Sequence, residues 1–376
     1  MASQDLEAQT TLQARSRSRV GRSPSARAVT LCAVAVASAL VAAAAAQSAP
    51  ERRLQTPQAF EIARASSAVP DAGAVVKLTL PPGSWGGTYR TASGESAAVF
   101  VSNAYPVDQT VGQRWADFLG SLVHGNELSQ LTLFLAQASL VERLCGQDTV
   151  ACYSARDNLV VAPADDPEAS LSSEAVITHE YGHHVAAHRN NAPWTALDYG
   201  TKRWASAIQV CAKARTGDLA PGAEDPVQYE VNPGEGFAES YRVLNERKAG
   251  LPETSWQIVS DSLYPTAAAL AALELDVTAP WERQTASTLS GRFTRATRTR
   301  TFTVATPLDG SLSLGVTPRS RLRLAVDVFA GGRRVVHATG VRRLSRALTV
   351  CGQRSYRIRI RASSGYGTFS LAVAKP

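Results

Sequence analysis

His179-Glu180-Tyr181-Gly182-His183-His184 is the stretch on which the reading of this chain turns. It lies in an apolar run that opens after two capping candidates, Ser172 and Ser173, and closes at Asn190-Asn191 with Pro193 beyond, so the run predicts a helix. On a helix, residues four apart share a face. His179 and His183 can therefore offer two imidazoles to one metal ion, and Glu180, one step round, can reach a water bound to that ion. Only six histidines occur in 376 residues. Chance matches to this pattern are then expected fewer than about 0.01 times, which sets aside a surface helix that merely carries histidines.

The pattern is H-E-x-x-H, the signature of zinc hydrolases, and a catalytic zinc keeps three protein ligands and one water. Three schemes could supply the third ligand. The metzincin scheme needs a glycine and a histidine where this chain has Ala186 and Arg189, with His188 one position off. It also needs a methionine turn, and Met1 is the only methionine, so that scheme is rejected. A second scheme resembles the aspzincins and would use Asp198 in Asp198-Tyr199-Gly200, a thin match.

The third takes a glutamate from a later helix. Asn232-Pro233-Gly234-Glu235-Gly236-Phe237-Ala238-Glu239 resembles the second motif of the glutamate-ligated zincins (gluzincins), most closely the Asn-x-x-Glu-x-Phe-Ala-Glu pattern of the anthrax lethal-factor type. That resemblance implies Glu235 as the third zinc ligand and a zincin-like catalytic domain in an exported bacterial metallopeptidase. Glu239, one turn on, would support a zinc-bound histidine. The same residues also write an ordinary capping box, with Asn232 as N-cap, Pro233 at N1 and Glu235 at N3, which needs no metal.

Two neutral histidines and one carboxylate around Zn2+ leave a site of net charge about +1, suited to acidifying a bound water and polarising a carbonyl. Glu180 is the candidate general base for attack on a protein or peptide substrate. For the oxyanion donor the candidates are Tyr229, one residue closer to the asparagine than in the lethal-factor pattern, and His184; both could equally be packed residues.

The rest of the chain divides around this core. Residues 1–27 carry Arg15, Arg17, Arg19, Arg22 and Arg27 and lead into an apolar run from Ala28 to Ala46, so 1–46 reads as a signal sequence or signal anchor. Cleavage after Ala44-Ala45-Ala46 makes a secreted protein; retention of 28–46 leaves a membrane-anchored one facing out of the cytoplasm. Residues 47–72, with Pro50, Pro57 and Pro70, read as a linker or short pro-segment, and without Cys or His they offer no cysteine switch.

Residues 73–278 read as the catalytic domain: strands at Val75–Leu80, Ala97–Ser102, Leu131–Leu135 and Asn158–Val161, with a turn around Gly83, Gly86 and Gly87. Helices follow at Gln109–Val123, Thr201–Ala214, Asn232–Lys248 and Ser255–Leu275. Asn158–Val161 occupies the place in chain order of the substrate-binding edge strand that the zincin resemblance implies, with a purely structural strand the equal alternative. Cys145 and Cys152 flank a short loop and are expected to pair, which by elimination leaves Cys211 for Cys351.

From 279 to 376 short alternating segments separated by Gly, Pro and Ser predict a small all-β sandwich, so the fold class expected is α+β followed by all-β. Arg319, Arg321 and Arg323, and Arg357, Arg359 and Arg361, alternate with apolar residues and place guanidinium groups on one face of each strand. That face suits an anionic envelope polymer, against the plainer reading of a soluble surface written in arginine; nucleic acid is not expected, because no aromatics interleave. The alternative to a peptidase is a zinc-bound but non-catalytic envelope-binding protein that acts through this module.

Overall fold

The computed structural model describes residues 80–376, apart from 168, 169, 224–226, 257 and 320. The expected leader at 1–46, the linker at 47–72 and all but Leu80 of the strand expected at 75–80 lie outside the described residues. No helix among the described residues is long and apolar enough to cross a membrane, and the candidate anchor at 28–46 is not among them.

The first part is α+β. In chain order it runs β1 (Trp85–Arg90), β2 (Ser96–Val101), α1 (Gln109–Ser121), β3 (Thr132–Ala136), α2 (Ala138–Cys145), β4 (Cys152–Ser154) and β5 (Leu159–Pro163). The strands form one sheet in the order β1-β2-β3-β5-β4, antiparallel at both ends and parallel across β2, β3 and β5. Its central strands are written as nearly unbroken apolar runs because both faces are covered. Leu133 and Leu135 point into the core shared with α1, while Phe134 and Ala136 point into a smaller one closed by α2.

Two expectations are corrected here, and one element is added. Gly86 and Gly87 belong to β1 and not to a turn: a Cβ on Gly86 would stand within van der Waals exclusion of the Val99 carbonyl, so glycine lets β1 close on β2. The short helix α2 was not foreseen. And β5 is an interior strand, paired with β3 on one side and β4 on the other; β4, tied to α2 by the Cys145–Cys152 disulfide, is the edge.

The helices that follow are α3 (Ser173–Ala187), a small hairpin of β6 (Asn190–Asn191) and β7 (Trp194–Thr195), α4 (Ala196–Tyr199), α5 (Lys202–Ala207), α6 (Val210–Thr216), α7 (Pro233–Ala249) and α8 (Ala267–Thr278). The single helix expected over 201–214 is broken at Gln209, whose φ of 64° lies in the left-handed region. The helix expected from Ser255 shrinks to α8 after a 3-10 turn at Asp261–Leu263, since Pro265 disfavours helical backbone at the residue before it.

The C-terminal part is all-β. Its strands are β8 (Thr285–Phe293), β9 (Thr299–Thr306), β10 (Gly310–Pro318), β11 (Arg323–Ala330), β12 (Arg333–Val341), β13 (Leu344–Val350), β14 (Arg354–Ser364) and β15 (Gly367–Lys375). They form two antiparallel four-stranded sheets, β13-β10-β15-β8 and β12-β11-β14-β9. Inward residues such as Leu314, Val316, Val326, Ile358 and Phe369 fill the core between them. Arg319 and Arg321 precede β11, so only Arg323 of that trio is in a strand. The Cys211–Cys351 disulfide ties α6 to the residue after β13, and two disulfides fit an oxidising, extracytoplasmic setting.

Candidate metal centre

Helix α3 begins where Ser172 accepts a hydrogen bond from the Ala175 N–H, and nearly all of its side chains are buried. A helix enclosed on every side cannot shed its polar residues into solvent, so each must find a partner. His179, Glu180, His183 and His184 all lie on it at 1% exposure or less.

Helix α7 crosses α3 at close range. A Cβ added to Gly182 would stand 2.8 Å from Ala238 Cα, so the two backbones touch where neither residue carries bulk. That crossing sets the candidate donor residues face to face: Gly182 sits between His179 and His183 along α3, and Ala238 between Glu235 and Glu239 along α7. Asn232 caps α7 by accepting from the Gly234 N–H, and its own N–H donates to the Tyr229 carbonyl. The carboxylate of Glu235 does not close a capping box; it turns to the histidines. Asn232 thus does the capping and leaves the Glu235 carboxylate available as a metal donor.

The three donor atoms form a near-equilateral triangle. His179 Nε2 lies 3.3 Å from His183 Nε2, and Glu235 Oε2 lies 3.5 Å and 3.4 Å from the two. Donors held 2.0–2.1 Å from a tetrahedral zinc stand about 3.3–3.4 Å apart, so this donor set fits such an ion without rearrangement. It is also the group among the described residues arranged to hold a metal. Burial disfavours a charged His183, but the carboxylates of Glu235, Glu180 and Glu239 outweigh it and hold its pKa above the ordinary histidine value. The cage favours positive charge.

Behind the triangle, Glu239 Oε1 stands 3.8 Å from His179 Nδ1. Its other oxygen is gripped by Arg242 through Nε at 2.6 Å and Nη2 at 2.5 Å, and Arg242 in turn reaches Glu246 at 2.7 Å and the Thr254 carbonyl at 3.2 Å. All three side chains are buried or nearly so. This ion triad was not foreseen in the sequence, although the i, i+3 and i, i+4 spacing of opposite charges was there to be read.

Tyr229, in a 3-10 turn just before α7, donates its hydroxyl to Glu235 Oε2 at 2.9 Å, the oxygen that also faces both histidines. His184 is oriented elsewhere. Its Nδ1 meets the Tyr153 hydroxyl at 3.0 Å and its Nε2 the Glu127 carbonyl at 2.9 Å, and burial lowers its pKa to about 4. With both ring nitrogens committed, His184 is a structural residue and not an oxyanion donor. Asp198, the aspartate of the second scheme, accepts from the Thr195 hydroxyl at 2.7 Å on α4 and lies outside the triangle.

No known family model matches the chain, and no curated protein does. A stretch covering 23% of this chain and 87% of the other is similar to the pre-peptidase C-terminal domain of a collagenase from Bacillus anthracis, at 13% identity and a TM-score of 0.21. Another covers 25% of this chain and 87% of the Yersinia pseudotuberculosis-derived mitogen, at 11% identity and a TM-score of 0.21. Likenesses at this level carry no argument, and the functional reading rests on the site itself.

Proposed function

We propose that this chain is an exported zinc peptidase of the glutamate-ligated kind, with a zincin-like first domain, His179, His183 and Glu235 as metal ligands and Glu180 as general base. The observation that supports it most is the donor triangle of 3.3–3.5 Å edges on two helices buried all round. When bound there, Zn2+ supplies Lewis acidity and lowers the pKa of a bound water.

The chain's own residues do the rest. Glu180, fully buried one position from His179, takes the proton of the attacking water and returns it to the leaving nitrogen of a protein or peptide substrate. Tyr229 fixes the orientation of Glu235 through its hydroxyl; to serve as the oxyanion donor, that O–H would have to exchange Glu235 for the substrate oxygen. Glu239, braced by Arg242, holds the ring of His179 in place.

Glu180→Gln keeps size and burial and removes the base. Digestion of an unbiased peptide library by the zinc-loaded chain, beside metal analysis of both forms, tests the proposal. The variant is expected to retain its metal and lose about 10²–10⁴-fold in peptide cleavage. Equal cleavage by both forms, or none by the metal-loaded wild type, sinks it, and the second outcome favours a metal-bound, non-catalytic binding protein acting through its basic β module.

A further inference from the structure

The two outer faces of the β sandwich differ in charge. On β13-β10-β15-β8 the outward positions carry small neutral residues such as Ser313, Gly315, Thr317 and Ser370, and the one charged residue in this phase is Arg292 on the edge strand. On β12-β11-β14-β9, Ile358 and Ile360 of β14 point inward while Arg357, Arg359 and Arg361 point out. Arginine is therefore not spread evenly over the module.

One carboxylate organises that basic face. Asp327 of β11 is covered by a single layer of side chains: His337 Nδ1 at 2.7 Å, Arg359 Nη2 at 3.0 Å, Arg334 Nη1 at 3.4 Å and Arg361 Nη2 at 3.9 Å. Burial raises its pKa, but hydrogen bonds from His337 and Arg359 bring it below the ordinary carboxylate value, so it stays charged and holds its partners. Arg357 and Arg359 also lie over the Phe329 ring, 5.0 Å and 5.1 Å from its centre. Four arginines against one aspartate leave three positive charges in excess, and Arg334, Arg359 and Arg361 remain about half exposed.

Beside the arginine row runs a row of exposed hydroxyls. Thr303, Thr301 and Thr299 of β9 lie opposite Arg357, Arg359 and Arg361. Alternate strand residues stand about 6.6–6.8 Å apart, so the paired rows offer anion contacts and hydrogen bonds at regular intervals along one direction. A guanidinium grips carboxylate, sulfate or phosphate through two parallel N–H donors. Phe329, roofed by two guanidinium groups, is not free to stack on nucleobases. None of the exposed large hydrophobic residues lies on these four strands to enter a bilayer.

We propose that the outer face of β12-β11-β14-β9 is a docking platform for a linear acidic polysaccharide, with Arg357, Arg359, Arg361 and Arg334 binding its anionic groups and the β9 threonines its hydroxyls. This does not depend on the metal centre. It makes the β module the part that keeps the protein on an anionic polymer.

The full chain is to be titrated at low salt against polygalacturonate and dextran sulfate, which separate carboxylate from sulfate recognition, with neutral dextran, a thymidine oligonucleotide and phosphatidylglycerol vesicles alongside. Binding to at least one acidic polysaccharide and none to neutral dextran is expected. Replacing Arg357 and Arg361 by threonine, which leaves Arg359 on Asp327, should weaken it about tenfold or more and flatten its salt dependence. Adding charge at exposed sites instead, by Thr299→Glu and Thr303→Glu, should weaken it as much, which guards against a folding defect in the first variant. Removing Arg114, Arg143 and Arg156, exposed on the first domain, should leave it within about twofold. The proposal is overturned if neither acidic polysaccharide binds, if the oligonucleotide or the vesicles bind as tightly, or if the first-domain variant loses as much as the β14 variant.

Discussion

Gly182→Ala tests the packing that assembles the candidate centre without touching a donor atom. The added methyl would sit 2.8 Å from Ala238 Cα and 3.2 Å from both the Ala238 carbonyl oxygen and Tyr241 Cβ. The nearest contact is at least about 0.6 Å short of ordinary van der Waals range, and backbone atoms cannot swing away as a side-chain tip can. Overpacking of this kind costs about 1–3 kcal/mol. Alanine in place of glycine within a helix returns about 1 kcal/mol, so the net loss of stability is about 0–2 kcal/mol. The larger effect is on the ligands. If α3 and α7 part by even half of that deficit, Glu235 moves away from His179 and His183 by more than the roughly 0.2 Å that a metal site tolerates, and zinc affinity should fall about tenfold or more. Gly236→Ala is the matched control, because the nearest atoms its methyl would meet, at 3.0–3.3 Å, all belong to the side chain of Leu263 and none to backbone. Urea unfolding in the presence of chelator gives the stability term, and competition against a zinc indicator gives the affinity. Wild-type zinc affinity in Gly182→Ala, or an equal loss in Gly236→Ala, refutes the view that this crossing sets the triangle.

Three further outcomes follow from the same geometry. Glu239→Gln removes the charge behind His179 and should cost about 10–100-fold in zinc affinity with little change in fold, as read by the same competition titration. Glu235→Ala should abolish stoichiometric zinc by metal analysis and Asp198→Ala should leave it intact; loss confined to the Asp198 variant would return the aspartate scheme. Lys202 is buried at 1% exposure, donates to the Ala192 carbonyl at 2.6 Å and sits 4.5 Å over the Trp281 ring, and burial lowers its pKa to about 8 against the pull of Asp309 and Asp276. A lysine with a depressed folded pKa gains stability as pH rises through that value and has it in full only above its unfolded pKa. Between pH 7.5 and 9.5 the wild type should therefore gain about 2 kcal/mol relative to Lys202→Met in urea unfolding, and parallel pH profiles would argue against a proton lost on folding at this site.

Much of the fold could be read before the structure, and the misses have physical causes. The helices α1 and α7 announced themselves through spacing and caps, and the sandwich through alternation and turn residues. Strand β1 was hidden because glycine is ordinarily a turn signal, whereas Gly86 serves a close strand approach. For strand β5 the edge and the structural readings stay equal in the sequence because order along the chain does not reveal which neighbour pairs with it; Cys152–Ser154, three residues long, closes that side. His184 drew suspicion by adjacency alone. Its real partners, Tyr153 and Glu127, are 31 and 57 residues away, and no local pattern points to them.

The donor triangle and its supporting triad expose a different limit. Hydrophobic periodicity finds helices with one wet face, and neither α3 nor α7 has one over its functional turns: Ala175 to Ala186 and Pro233 to Glu246 are buried. On such helices the informative residues are the polar ones, because each charged group taken out of water costs several kcal/mol unless a partner compensates it. Glu239, Arg242 and Glu246 look in the sequence like a solvent-exposed string of i, i+3 and i, i+4 pairs, worth a few tenths of a kcal/mol. Buried, the same three are bound to each other by necessity. Removing Arg242 would leave Glu239 buried without its counter-ion and Glu246 held by the Thr254 N–H and hydroxyl, at a cost of about 3–5 kcal/mol. A helix that is polar where it is buried is therefore one whose charges are committed, and in α7 the commitment runs from Glu246 through Arg242 and Glu239 to the ring of His179.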